Sequence, residues 1–226
     1  MDIEKLYELA SENLRIACIN QHDGNEADGN GMFEVIKKDP SAMLHVSNRW
    51  NFEKVLPAIE IYVETREELL KSKGGTAYSA VKRIVKNVGG RAGLSGVWYD
   101  SENRQCVCDG YRAVRMVNHV DGFDTVNGID LDKCYPNEAD LDMEIAMPTP
   151  GELKANKIKD KSNPKRYLYD FGDGLPMVDA GFLKDVMDCL PHSKAYINGS
   201  HGELATIVIK SDNGDAILLP IRKKAA

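Results

Sequence analysis

Twice after residue 75 the chain runs from an amphipathic helix into a series of strands, and that order restricts the fold more than any other feature. The first set is "AYSAVKRIVKNVGG", then "LSGVWYD", "RQCVCD" and "YRAVRMV", with "DSEN" and "DG" as the turns between strands. Ala77, Val81, Ile84, Val85 and Val88 recur at helical spacing and form one apolar side. The second set is "DAGFLKDVMDCLP", with Phe182, Leu183, Val186, Met187 and Leu190 on one side, then "KAYING", "ELATIVIKS" and "DAILLPIR". "SDNGD" supplies a tight turn in that last meander. Short turns between strands make antiparallel neighbours, and helices grouped with antiparallel strands predict an α+β fold.

Between the two sets the chain is more irregular. "DMEIAM" reads as a strand, and "TPGELKANKIK" as a helix capped by Thr149 with Pro150 in its first turn. "YLYDF" reads as a strand before the turn "GDGLP". Residues 1–75 differ in character. Ile3, Leu6, Tyr7, Ala10, Leu14, Ala17 and Cys18 predict one helix, and Ile59, Tyr62, Val63, Leu69 and Leu70 another, with Pro57 near its start and Gly74 just past its end. "AIEIYVE" within the second pattern also fits an alternating strand. "DGNEADGNG" reads as a polar, glycine-rich loop, and "FEVIKK" and "AMLHVS" are too short to assign. The break "KSKGGT" therefore divides a helical extension, residues 1–75, from an α+β module, residues 76–226, with a basic insertion near residues 145–170. No fixed-period repeat and no low-complexity tract is present.

Charge is uneven. The 226 residues carry a net −6; residues 1–75 hold 9 basic and 14 acidic side chains, so −5 of that total lies there. An acidic total argues against wrapping nucleic acid over the whole surface and leaves room for a local basic face. The longest apolar runs are too short to cross a bilayer. The start, "MDIEKLYELASENL", lacks the layout of a secretion signal, which places the expected location in the cytoplasm and predicts free thiols for the five cysteines.

The cations form two groups. Ser79, Lys82, Arg83 and Lys86 share one helix face, a pattern that suits phosphate oxygens or, equally, a solvated surface. From Lys154 to Arg166, Lys154, Lys157, Lys159, Lys161, Lys165 and Arg166 stand against Asp160 alone, which suits a phosphate backbone, an acidic partner or plain solvation. Lys184 is countered by Asp185 and Asp188. Cys106 and Cys108 sit two apart on a strand, on one face, with no second pair to complete a zinc site, so they read as buried thiols. Asp130, Asp132, Asp140, Asp142 and Glu144 could hold a divalent cation as in a nuclease, or form an irregular acidic loop. His22, His45, His119, His192 and His201 are scattered, and no catalytic, metal or cofactor motif appears.

The order of these words resembles one module of the bacterial replication sliding clamp, the processivity fold. "AVKRIVKNVG" precedes "LSGVWYD". "VCDGYRAVRM" resembles that family's Asp-Gly-His-Arg-Leu turn, with Tyr111 in place of histidine and Ala113 in place of leucine. "VDAGFLKDVMDCLP" resembles the opening of the second inner helix. "DAILLPIRK" resembles the terminal strand with its Met-Pro-x-Arg ending, here Leu219, Pro220, Ile221 and Arg222. The likeness spans residues 77–100, 105–118 and 177–223. The chain has room for one module where a clamp chain carries several.

The resemblance implies an antiparallel sheet with two short amphipathic helices facing DNA, and association of copies through sheet edges, for which the terminal meander is the candidate. It implies duplex DNA against Lys82, Arg83 and Lys86; the basic run, which lies outside the likeness, adds Lys154, Lys157, Lys165 and Arg166 as further candidate contacts by its charge alone. It also implies a pocket for short apolar peptides of replication or host proteins, formed by Gly110, Tyr111, Arg112, Leu219, Pro220, Ile221 and Arg222, with the guanidinium at its rim. In the family that pocket lies between adjacent modules, so here it calls for a neighbouring copy or the amino-terminal helices. The expected function is a non-enzymatic accessory or adaptor in DNA replication, repair or mobile-element maintenance. The alternatives are a phage-encoded antagonist that binds a host protein without DNA, and a metal-dependent enzyme using the acidic loop.

Overall fold

A computed structural model describes residues 2–40 and 55–222. The chain divides into two compact units, Met1–Lys73 and Gly74–Ala226. "AMLHVS", with His45, lies outside the described residues.

The first unit is helical. Helix α1 spans Ile3–Gln21, α2 spans Glu26–Lys38, and the run α3 spans Leu56–Lys86, interrupted at Gly75 (φ 57°, ψ −138°). The first stretch of α3 belongs to this unit and the rest to the second. Leu14, Cys18, Phe33, Ile36, Val55, Ile59 and Tyr62 form the core. The expected glycine-rich loop is instead mostly helix, and "FEVIKK" is its continuation. Two local features override the composition. Asn25 accepts hydrogen bonds from the Ala27 and Asp28 amides at 3.1 and 3.3 Å, capping α2. Gly29 is buried where α2 crosses α1, and a Cβ there would lie 2.5 Å from Ile19 Cα, so its missing side chain is what lets the helices meet.

The second unit is α+β. Its strands are β1 (Trp98–Tyr99), β2 (Gln105–Cys108), β3 (Arg112–Met116), β4 (Met143–Ile145), β5 (Ile158–Lys159), β6 (Tyr167–Asp170), β7 (Met177–Asp179), β8 (Lys194–Ile197), β9 (Ile207–Ser211) and β10 (Gly214–Leu218). Helix α4 spans Pro150–Asn156 and α5 spans Ala180–Cys189. Seven strands form one antiparallel sheet in the order β1-β2-β3-β10-β9-β8-β4, and β5-β6-β7 form a second. The two meanders therefore meet in one sheet, with Ala113 opposite Ile217 and Arg112 opposite Leu218. This places β10 at the centre. The terminal meander is not a free edge: β10 is paired on both sides, and β8 is covered by β4. The edges are β1 and β4, of two and three residues.

All five residues of β3 are buried, so the sheet is covered on both faces at its centre. On one face Trp98, Cys106, Cys108, Ala113, Val208 and Ile217 pack under the irregular middle segment through Leu131, with Val126, Tyr135 and Leu141 against them. Thr149 caps α4 in a reciprocal box with Glu152 and Pro150 sits in the first turn, as its sequence predicts. No helix among the described residues is long and apolar enough to cross a membrane.

Candidate functional site

The site grows from the turn between β2 and β3. Asp109 is fully buried, and its carboxylate accepts from the Tyr111 and Arg112 amides at 2.9 and 3.0 Å and from Asn87 Nδ2 at 2.8 Å. Arg91 folds over the turn, donating to the Asp109 carbonyl at 2.7 Å. Gly110 has φ +86°, a conformation that glycine adopts without strain and that a side chain would strain; a Cβ there would also push aside the Arg91 guanidinium, 2.0 Å away at Nη1. Tyr111, next in the chain, is turned outward and is 54% exposed.

Arg112 points the other way. The residue is 3% exposed; Nη1 donates to Asp185 Oδ2 at 2.5 Å, and the guanidinium lies 4.3 Å from the Phe182 ring centroid. Its Nε is 3.2 Å from Asp109 Oδ2 without forming a hydrogen bond. The remaining oxygen of Asp185 accepts from Arg83 Nε at 2.6 Å. Arg83 also reaches Asp188 at 3.3 Å, and Lys184 reaches Asp188 at 2.5 Å. One buried carboxylate thus ties α3, β3 and α5 together. Arg112 is not the expected rim guanidinium, because it is desolvated, stacked and paired. Arg83 has its charge matched inside the chain, which takes it out of an open cationic row. Lys82 is half-buried and Lys86 exposed on the same helix face.

After β10 the chain crosses from one sheet to the other. The Leu219 amide donates to the Tyr111 carbonyl at 2.9 Å, and the Ile221 amide donates to the Met177 carbonyl at 2.6 Å. Pro220, between them, has no amide hydrogen to leave unsatisfied. Tyr111, Leu219, Pro220 and Ile221 line one depression of about 530 Å³, completed by Phe182 and Tyr167 and bordered by Lys165 and Arg166. The expected need for a neighbouring copy is therefore not met: these walls come from one module. Gly110, which is exposed, and Arg112, which is buried, do not line it, and Arg222 borders a neighbouring depression of about 400 Å³ with Ile158 and Lys161.

Lys154 and Lys157 line a further depression, also of about 530 Å³, between α4 and α5, where Pro150, Leu153 and Met187 supply apolar walls. It shares Tyr167 and Gly181 with the first. Arg166 is held by Asp160, whose carboxyl is lowered to about 2 by hydrogen bonds from the Ser162 hydroxyl and amide and by the Arg166 charge.

One network gave no signal that was read from the sequence. Arg115 pairs with Asp215 at 2.7 Å and Asp132 at 2.5 Å, 3.9 Å from the Tyr135 ring centroid. Strand parity contains the clue: Arg112 and Arg115 are three apart, so they must face opposite sides of β3.

The thiols of Cys106 and Cys108 are buried in the sheet core, and burial pushes Cys106 up to about 12 and raises Cys108. The acidic loop disperses: Asp142 accepts from the Gly199 amide at 2.7 Å, Glu144 pairs with Lys194 and Asp130 with Lys133. Among the described residues no three His, Cys, Asp or Glu side chains are grouped to hold a metal. No family model matches the chain, and no curated protein or solved structure is significantly similar to it.

Proposed function

We propose that the chain is a clamp-like binding module, an adaptor in DNA replication or repair, that takes a short apolar segment of a partner protein into the depression of Tyr111, Leu219, Pro220 and Ile221. One observation carries the reading: residues from both ends of the module, more than a hundred positions apart in sequence, converge on one concavity of about 530 Å³. Tyr111 and Leu219 are 54% and 41% exposed, apolar surface that a partner would cover. Burying one Leu or Phe side chain there contributes roughly 1.5–3 kcal/mol, so two anchors give a weak but specific contact.

The test is a titration of isotope-labelled protein with acetylated peptides bearing two leucines and a phenylalanine. Amide shifts concentrated at Tyr111, Gly181, Phe182, Leu219 and Ile221, and lost in Leu219→Asp, support the reading. Shifts elsewhere, or none, refute it. Leu219 lies past the end of β10 on the surface, so the substitution leaves the core intact.

Contact with duplex DNA is a second reading, favoured by Lys82 and Lys86 lying one turn apart on the side of α3 away from buried Val81, Ile84 and Val88. It predicts salt-sensitive retention on duplex DNA that Lys82→Glu/Lys86→Glu abolishes; retention unchanged by that variant contradicts it. Arg83→Glu is unsuitable as a probe, since it would set a third carboxylate against Asp185 and Asp188.

A further inference from the structure

We infer that the depression between α4 and α5 binds the acidic flank of the same partner segment whose apolar part fills the neighbouring depression. The inference rests on the peptide reading above and adds the chemistry of the peptide.

The two depressions share Tyr167 and Gly181 as their common boundary. Gly181 is exposed and has no side chain to raise a wall there, and its amide is already taken by the Asp179 cap at 2.8 Å. An extended chain crossing at Gly181 would pass from apolar walls into a cationic setting. Lys154, Lys157 and Lys184 line the second depression, and Lys165 stands at the first. Lys184 is engaged with Asp188. Lys154, Lys157 and Lys165 are exposed and have no carboxylate partner among the described residues. Lys157 Nζ lies 4.5 Å from the Tyr167 ring centroid, which holds the ammonium at the shared boundary. Two anions border these surfaces: Asp179 is used as the α5 cap, and Asp188 is paired with Lys184 and Arg83. Among the described residues three ammoniums without a carboxylate partner thus stand against one carboxylate, Asp179, without a cationic one, and the net charge is positive.

A nucleic-acid backbone offers the same negative charge, but the floor argues for protein. Pro150, Leu153 and Met187 are apolar walls that a phosphate backbone cannot use and that an aliphatic side chain beside Asp or Glu can. The occupant that fits is an acidic-hydrophobic peptide.

The experiment is selection of a displayed library of random dodecapeptides on the full chain, followed by fluorescence anisotropy of a synthetic copy of an enriched sequence. Enrichment of Asp and Glu beside Leu and Phe is expected. Lys154→Gln/Lys157→Gln should weaken that peptide about fivefold to tenfold at low salt and flatten its salt dependence, since exposed ion pairs are modest and screened. Leu219→Asp should abolish binding. Enriched peptides without acids, or an affinity that Lys154→Gln/Lys157→Gln leaves unchanged while Leu219→Asp still abolishes it, overturn this inference and leave the peptide reading standing. No enriched peptide, or one indifferent to Leu219→Asp, removes both. Single-stranded or duplex DNA retained by the native chain and lost in Lys154→Gln/Lys157→Gln assigns the lysines to nucleic acid and likewise overturns the inference.

Discussion

Asp185 shows how a single residue fixes the geometry around the candidate site. It is 4% exposed, with one oxygen on Arg112 and the other on Arg83. Taking a carboxylate out of water is costly, and here that cost is offset only because both oxygens meet guanidinium donors. Asp185→Asn leaves Arg112 buried with its charge unmatched by that oxygen, so unfolding in urea should show a loss of about 3–5 kcal/mol. Arg83→Gln removes a partner whose side chain is 48% exposed, and water can replace it, so its loss should be about 1 kcal/mol or less. Equal effects would mean that the shared carboxylate is not the hub. The Asp109-Gly110 turn was legible in the sequence, because turn chemistry is local. The burial of Arg112 was not: a lone arginine on a strand reads as exposed, and its partner stands 73 residues away.

At the scale of elements, periodicity located the helices and the two meanders, and capping located α4. Composition misled at α2, where glycines read as a loop. Gly29 is instead a contact surface, and Gly29→Ala would place a methyl 2.5 Å from backbone atoms of Ile19. Alanine's better helix propensity, about 1 kcal/mol, opposes that clash. Backbone cannot step aside as a side-chain tip can, so a net loss of roughly 1–2 kcal/mol in urea unfolding is expected; a gain would mean that α1 and α2 do not touch there. The edges of the large sheet were also misread. Adjacent words in sequence set which strands form hairpins, whereas the pairing of β3 with β10 and of β8 with β4 spans long separations that no local pattern encodes.

For the whole molecule, the second unit carries the depression of Tyr111 and Leu219, the lysine-lined depression beside it and the buried ion pair of Arg112 and Asp185. The first unit carries −5 of the net charge of −6. Tyr111 and the Leu219–Ile221 stretch, which converge on one depression, lie in the words the resemblance covers. The resemblance did not reveal that they meet within one module, which depends on a hydrogen bond from Leu219 to Tyr111 and another from Ile221 to Met177. The most direct measurement is the affinity of a Leu/Phe-bearing peptide for the native chain and for Leu219→Asp, with thermal unfolding of both recorded alongside. Binding by the native chain, weakened at least tenfold in a variant of unchanged melting temperature, is the predicted result, about 1.4 kcal/mol or more. Equal affinity in both proteins would contradict the account.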